Sequence, residues 1–203
     1  MFEMNDLQKD ALTEAFNISI GRAAGTLNSM LNEEVSLSVP DVRFATTKNI
    51  LEIIPLSTER EICYVSQVFK GNFFSTEAIL LFAEDESLEL VRILLGSDTP
   101  LEKMSGLEHE AMIEVGNVIL NACIGSLANS LKDEMTSTIP ELVVCQATEL
   151  FNDMHLSVDS NKSLLVVFID FSVETKSITG YLILVLELHS FEKFFTQLLK
   201  GFN

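Results

Sequence analysis

Leu12, Phe16, Ile20, Ala23, Leu27 and Met30 recur at helical spacing through the stretch LTEAFNISIGRAAGTLNSML, residues 12–31. At about 100° per residue they form one stripe, which predicts a helix with its core side there. Asp10, Glu14, Asn17 and Gly21 fall on the opposite, wet side. Past residue 34 the pattern changes to extended runs, expected at 35–47, 50–55 and 62–69. The turn-forming Lys70, Gly71 and Asn72 precede a further strand in FFSTEAILLFAE. ESLELVRILLG, residues 86–96, returns to helical spacing and closes the first half.

The second half follows the same plan. Ile113, Leu120, Cys123, Leu127 and Leu131 face inward on a second long helix, while Glu110, Glu114, Asn117 and Asn121 face out. Extended runs are expected near 137–150 and 154–158, followed by strands LLVVFIDFSV and ITGYLILVLEL joined by a turn at 174–177. In FEKFFTQLLKGF, Phe191, Phe194, Phe195, Leu198 and Leu199 are spaced as one face of a closing helix, for which core packing is the favoured reading. Long helix, several strands, short helix, twice over, predicts an α+β domain with pseudo-twofold symmetry and mainly antiparallel strands. Residues 96–106, GSDTPLEKMSG, have the content of a linker between halves at about 1–102 and 103–203. The halves are expected to share one core, because a half-sheet this apolar would otherwise expose an edge and a face.

The halves also share polar positions. Without a gap, Leu7, Ala11, Glu14, Asn17, Gly25, Leu27, Leu31, Glu34 and Pro40 recur as Leu107, Ala111, Glu114, Asn117, Gly125, Leu127, Leu131, Glu134 and Pro140, at a constant offset of 100. Two unrelated helices would share apolar spacing. They would not also share a carboxylate, an Asn, a Gly and a Pro, so the chain reads as a duplication.

Composition narrows the function classes. The 203 residues carry 30 acidic against 13 basic side chains, a formal charge of −17, which disfavours nucleic acid and anionic lipid and suits a protein partner with a basic or metal-bearing face. The N-terminal MFEMNDLQKD lacks the basic and apolar runs of a signal peptide, and no uninterrupted apolar run reaches bilayer-spanning length, so the chain is expected in the cytoplasm, away from membranes. Cys63, Cys123 and Cys145 are odd in number, widely spaced and set among apolar residues, as small core residues in a reducing compartment would be. His109, His155 and His189 are scattered, and neither a phosphate-binding loop nor metal-ligand spacing is present.

One Glu and Asn three apart are unexceptional on a solvated helix face. Asn is nonetheless a mediocre helix former, and Lys, Gln or Glu would give solubility at less cost. Finding Asn in both copies, each with Glu three before it and Pro twenty-three after it, favours a presented pair over coincidence. Pro40 and Pro140 also have a purely structural reading, starting or edging the strand after each helix.

Both copies resemble the signature of the CheC, CheX and FliY phosphatases of chemotaxis: an acidic or Ser residue, then Glu, Asn and Pro at fixed spacing. Asp10, Glu14, Asn17 and Pro40 match it in full; Glu114, Asn117 and Pro140 match its core, with Glu110 where Asp or Ser is usual. Two signature helices in one chain look most like CheC, whereas CheX usually carries one intact signature and FliY adds a flagellar switch domain for which no residues are expected here. The resemblance implies removal of the aspartyl phosphate from the response regulator CheY. The regulator would bring its own Mg²⁺ and a Lys, and the phosphatase no cofactor. By the same resemblance, Asn17 and Asn117 would place the attacking water, and Glu14 and Glu114 would pair with the regulator's Lys. Asp10, Glu110, Gly21 and Asn121 would line the docking face. A carboxamide suits the water because it adds no negative charge beside an anionic phosphoryl group. The alternative is a noncatalytic adaptor that binds CheY or the receptor deamidase CheD.

Overall fold

The computed structural model describes residues 5–31, 34–46, 49–56, 60–72, 74–96, 104–150, 162–173 and 176–187. In chain order its elements are α1 (Asp6–Leu31), β1 (Val35–Ala45), α2 (Ile50–Ile53), β2 (Glu61–Lys70), β3 (Ser75–Ala83), α3 (Glu84–Leu94), α4 (Gly106–Leu131), β4 (Thr136–Ser137), β5 (Glu141–Gln146), β6 (Lys162–Val173) and β7 (Lys176–Glu187). Both long helices start on a reciprocal clasp. The Gln8 amide N–H donates to Asn5 Oδ1 and the Asn5 N–H to Gln8 Oε1, each at 2.9 Å. A hundred positions later Ser105 and Glu108 form the corresponding capping box. Each clasp satisfies amides that have no partner inside the helix, which fixes where the helix begins.

The fold is α+β, with a seven-stranded sheet in the order β1-β6-β7-β3-β2-β4 and β5 also paired to β2. Every pairing is antiparallel. The hairpins β2–β3 and β6–β7 abut through β3 and β7, with Ile79 opposite Ile183. The strand that follows each long helix crosses to the other half: β1 pairs β6, and β5 pairs β2. Each long helix therefore sits above a sheet edge whose neighbouring hairpin belongs to the opposite half.

One sheet face carries α1, α3 and α4 over a core that includes Leu12, Phe16, Ile20, Phe82, Ile119, Leu120 and Leu182. The other face buries Ile50 and Ile54 with Ile62, Ile79, Leu150, Val166 and Ile183. Burial on both faces explains why Leu164–Val167 and Leu182–Leu186 read as continuous apolar runs instead of alternating ones. Cys63, Cys123 and Cys145 are buried core residues and none of them forms a disulfide; burial pushes the Cys63 and Cys123 thiols up to about 12.

Three expectations need correction. The run at 50–55 is extended only at its end; Ile50–Ile53 forms a helical turn. Asn49 Oδ1 accepts from the Thr46 amide and hydroxyl, and this local side-chain turn outcompetes the extended form. The run at 137–150 is broken at Thr138–Pro140, between β4 and β5. Finally, α4 is long and apolar enough, by length and composition, to cross a membrane, contrary to the expectation of no such run; half of its most apolar window is buried inside the fold. The run at 154–158, most of the 96–106 linker and the closing helix at 191–199 lie outside the described residues.

Candidate functional site

The α1 stripe packs as its spacing requires: Leu12, Phe16, Ile20, Ala23 and Leu27 are buried, and Asp10, Glu14 and Gly21 are exposed. Asn17 departs from the expectation of a displayed side chain. It is half-buried, because the wet side of α1 leans onto β1. The Val39 N–H donates to Asn17 Oδ1 at 2.8 Å, and Asn17 Nδ2 donates to the Val39 carbonyl at 3.3 Å. The cause lies in β1, whose register with β6 shifts between Ser38 and Asp41, so that Val39 and Pro40 drop out of the ladder. Pro40 has no N–H to give, and the carboxamide of Asn17 supplies the pairing that Val39 has lost. Pro40 thus marks a bulge within an edge strand, whereas Pro140 immediately precedes β5. Each copy realises one of the two structural readings of its proline.

Beside Pro40, Asp41 gathers two cations, Lys9 Nζ at 2.5 Å and Arg43 Nε at 2.6 Å. Partial burial works to raise the Asp41 carboxyl, but hydrogen bonds and charge from Lys9 and Arg43 outweigh it and hold the group below the usual carboxylate range. Lys9 lies next to Asp10 on α1, so this cluster fixes the start of the stripe over β1.

The α4 stripe is supported differently. Glu110, Glu114 and Asn121 are exposed and Asn117 is half-buried. Asn117 Oδ1 accepts from Asn121 Nδ2 at 2.7 Å, and Asn121 Nδ2 also reaches the Asn117 carbonyl at 2.8 Å. Gln67 Nε2 lies 3.5 Å from Asn117 Oδ1 and donates to the Thr138 carbonyl at 2.8 Å. Thr138 in turn exchanges two bonds with Val68 of β2. Among the described residues Asn117 Nδ2 donates to no acceptor. Ile139, the counterpart of Val39, is 80% exposed.

Gly116 sets the height of this helix. A Cβ there would lie 2.5 Å from Val65 Cγ1, so α4 rests directly on β2. At the matching place α1 stands on the buried ring of Phe16. Gly21 and Gly25 meet nothing within 4 Å of an added Cβ. His109 is exposed at the start of α4, while His155 and His189 lie outside the described residues. No group of three or more His, Cys, Asp or Glu among the described residues could hold a metal.

Gln67 was not among the residues that the sequence singled out. Its signal is present in EICYVSQVFK, where a Gln takes an inward position that is Val167 in the other half. A polar side chain in an otherwise apolar strand position calls for a partner.

No family model matches the chain. It is 22% identical over 202 residues to the CheY-P phosphatase CheC of Bacillus subtilis, an alignment that spans 94% of this chain and 93% of that protein. The fold is that of FliY from Thermotoga maritima, with a TM-score of 0.76 at 19% identity over 98% of this chain and all of that one. In sequence and in fold the chain is similar to proteins of the CheC/CheX/FliY type.

A second curated relative, the flagellar motor switch phosphatase FliY of Bacillus subtilis, is 22% identical over 152 residues, 72% of this chain; the match covers 38% of that protein's length. Among solved structures, the chain also superposes on one from the CheX–CheY–BeF3–Mg²⁺ complex of Borrelia burgdorferi, with a TM-score of 0.52, 16% identity, and coverage of 86% of this chain and 97% of that one. The FliM middle domain of H. pylori shares the fold at a TM-score of 0.65 and 12% identity, over 96% and 99% of the two chains.

Proposed function

We propose that this chain dephosphorylates the aspartyl phosphate of a CheY-type response regulator. One observation carries the reading: two capped helices each present an exposed Glu, with an Asn three residues later on the same face, at the same offset in a duplicated chain. Similarity to proteins named CheY-P phosphatase and motor switch phosphatase supports it.

In this reading Glu14 or Glu114 pairs with a Lys of the regulator, with Asp10, Glu110, Gly21 and Asn121 along the same docking stripe. Asn17 or Asn117 then holds a water in line with phosphorus. The water oxygen attacks, the bond from phosphorus to the aspartyl oxygen breaks, and the products are inorganic phosphate and a free Asp carboxylate on the regulator. Phosphoryl transfer of this kind depends on positioning and on charge compensation, not on a covalent intermediate. The reading assigns Mg²⁺ to the regulator and no cofactor to this chain.

A noncatalytic adaptor, binding the regulator or CheD, draws on a separate observation: both ends of the Asn17 carboxamide are already taken by Val39. Decay of radiolabelled phospho-regulator separates the two readings, measured with wild type, Asn17→Ala, Asn117→Ala and the double substitution. The phosphatase accelerates decay, and the double variant loses the acceleration, by about a hundredfold or more. Decay at the spontaneous rate with wild type leaves the adaptor; a double variant as fast as wild type removes both Asn assignments.

A further inference from the structure

Gln67 is a buried amide in the middle of an apolar strand, only 3% exposed. Its counterpart by the hundred-residue offset is Val167, which is fully buried, so the fold itself does not require a polar group at this level of the hairpin. Burying an amide is unfavourable unless its hydrogen bonds are met. Here they are met at the second stripe. Gln67 Nε2 donates to the Thr138 carbonyl at 2.8 Å, which ties the segment before Pro140 to β2. The same nitrogen approaches Asn117 Oδ1 at 3.5 Å, and Gln67 Oε1 lies 3.4 Å from Asn121 Nδ2. Asn121, in its turn, holds Asn117 Oδ1 at 2.7 Å. The first stripe has neither element, since Gly21 stands where Asn121 does and Val167 where Gln67 does.

From this network, and resting on the phosphatase reading above, we infer that Gln67 is a positioning residue for Asn117, contributed to the second site by the first half's hairpin. Gln67 and Asn121 together draw the carboxamide oxygen of Asn117 toward the protein. That fixes its rotation and leaves Nδ2, which has no acceptor among the described residues, as the end presented outward. A carboxamide that is already oriented loses less freedom when the regulator and the water arrive, and misplacement of such a group by about 1 Å costs up to a hundredfold in rate. The Thr138 bond gives the arrangement its fixed point, because Thr138 is itself paired twice with Val68.

The test isolates the second site in an Asn17→Ala background. Phospho-regulator turnover is measured for Gln67→Met and for Asn121→Ala, the second lying on the exposed helix face where folding is least at risk. Binding of the regulator charged with beryllofluoride, an acyl-phosphate mimic, is followed in parallel by calorimetry. The expected result is a kcat lowered about tenfold by either substitution, with KM, binding affinity and stoichiometry unchanged for Gln67→Met, whose side chain is buried beneath the docking stripe. Unchanged kcat in both variants overturns the inference. So does a kcat that falls only in step with binding stoichiometry, since that is loss of folded protein. If the Asn17→Ala parent itself fails to accelerate decay while wild type does so, the second site is silent and the inference falls with the phosphatase reading intact. If wild type is also inactive, it is the phosphatase reading that fails.

Discussion

The two stripes have the same Glu and Asn at the same spacing, yet almost nothing beneath them is shared. Asn17 is clamped at both ends by the backbone of Val39, and its helix stands on Phe16. Asn117 is steered through one end by side chains, and its helix rests on the backbone at Gly116. In the first copy the carboxamide repairs a bulge in an edge strand. In the second, Gln67 ties down the Thr138 segment, and Asn117 is relieved of that duty. Identical residues on equivalent helices can therefore differ in readiness for chemistry, because a carboxamide that must leave an internal partner before acting carries that cost into each encounter.

The sharpest way to break this contrast is at Gly116. In Gly116→Ala the new methyl would sit within 2.5–2.9 Å of the Cβ and both Cγ atoms of Val65. Because the Val65 Cβ itself lies 2.6 Å from the new methyl, no χ1 rotation relieves the clash, and the helix or the strand must move. Overpacking of this kind costs about 1–3 kcal/mol, more than the helix propensity gained by replacing Gly. Gly25→Ala is the matched control in α1: it meets open space, and stability is expected to hold or rise by up to about 1 kcal/mol. Urea denaturation of both variants measures the difference. Equal stability would mean that Gly116 does not set the height of α4 over Val65.

The clamp gives a second, smaller contrast. Asn17→Ala removes the partner of both the N–H and the carbonyl of Val39, and is expected to cost about 1–3 kcal/mol. Asn117→Ala removes one acceptor from Asn121 and Gln67, each of which keeps another bond, and is expected to cost under about 1 kcal/mol. Asn17→Asp retains an acceptor for the Val39 N–H and should recover part of the loss. The comparison collapses if thermal or chemical unfolding gives the same loss for the two alanine variants.

The sequence showed the core stripes of the long helices and both hairpins because each rests on a local pattern: apolar spacing near 3.6 along Leu12–Leu27, or continuous apolar runs such as Leu164–Val167. It also showed Glu14, Asn17 and their echoes, through identity of residue type at a constant offset. What it did not show depends on pairing between halves. The crossing of β1 to β6 and of β5 to β2 leaves no trace in either strand alone, and it is the pairing of β5 with β2 that accompanies the seating of α4 over Gln67. The wet side of α4 looks free in sequence for the same reason, since Gln67 lies fifty positions away, whereas Asn17 is half-buried by β1, the next strand along the chain. Ile50–Ile53 was misread as a strand because the decisive contact there is the side chain of Asn49 and not apolar spacing.

The smallest contrast lies at the start of the stripes, and pH reads it. Lys9 and Arg43 hold Asp41 ionised below the usual carboxylate range and thereby pin α1 to β1. The corresponding positions in the second half are His109 and Glu141, and among the described residues no ion pair joins them. Because the folded-state pKa of Asp41 lies below its ordinary value of 3.8, its contribution to stability is complete above that value and is lost as pH falls through the lower, folded pKa. Lys9→Met should therefore reduce stability at pH 7 by under about 1 kcal/mol, as befits a partly exposed pair. The same substitution should make no difference once the medium is acid enough to protonate Asp41 in the folded protein. The high-salt arm sharpens the test, since screening weakens exposed charges at pH 7 without touching the Val39 clamp. A Lys9→Met deficit that persists unchanged into acid would assign the seating of α1 to the packing of the Lys9 stem and not to its charge.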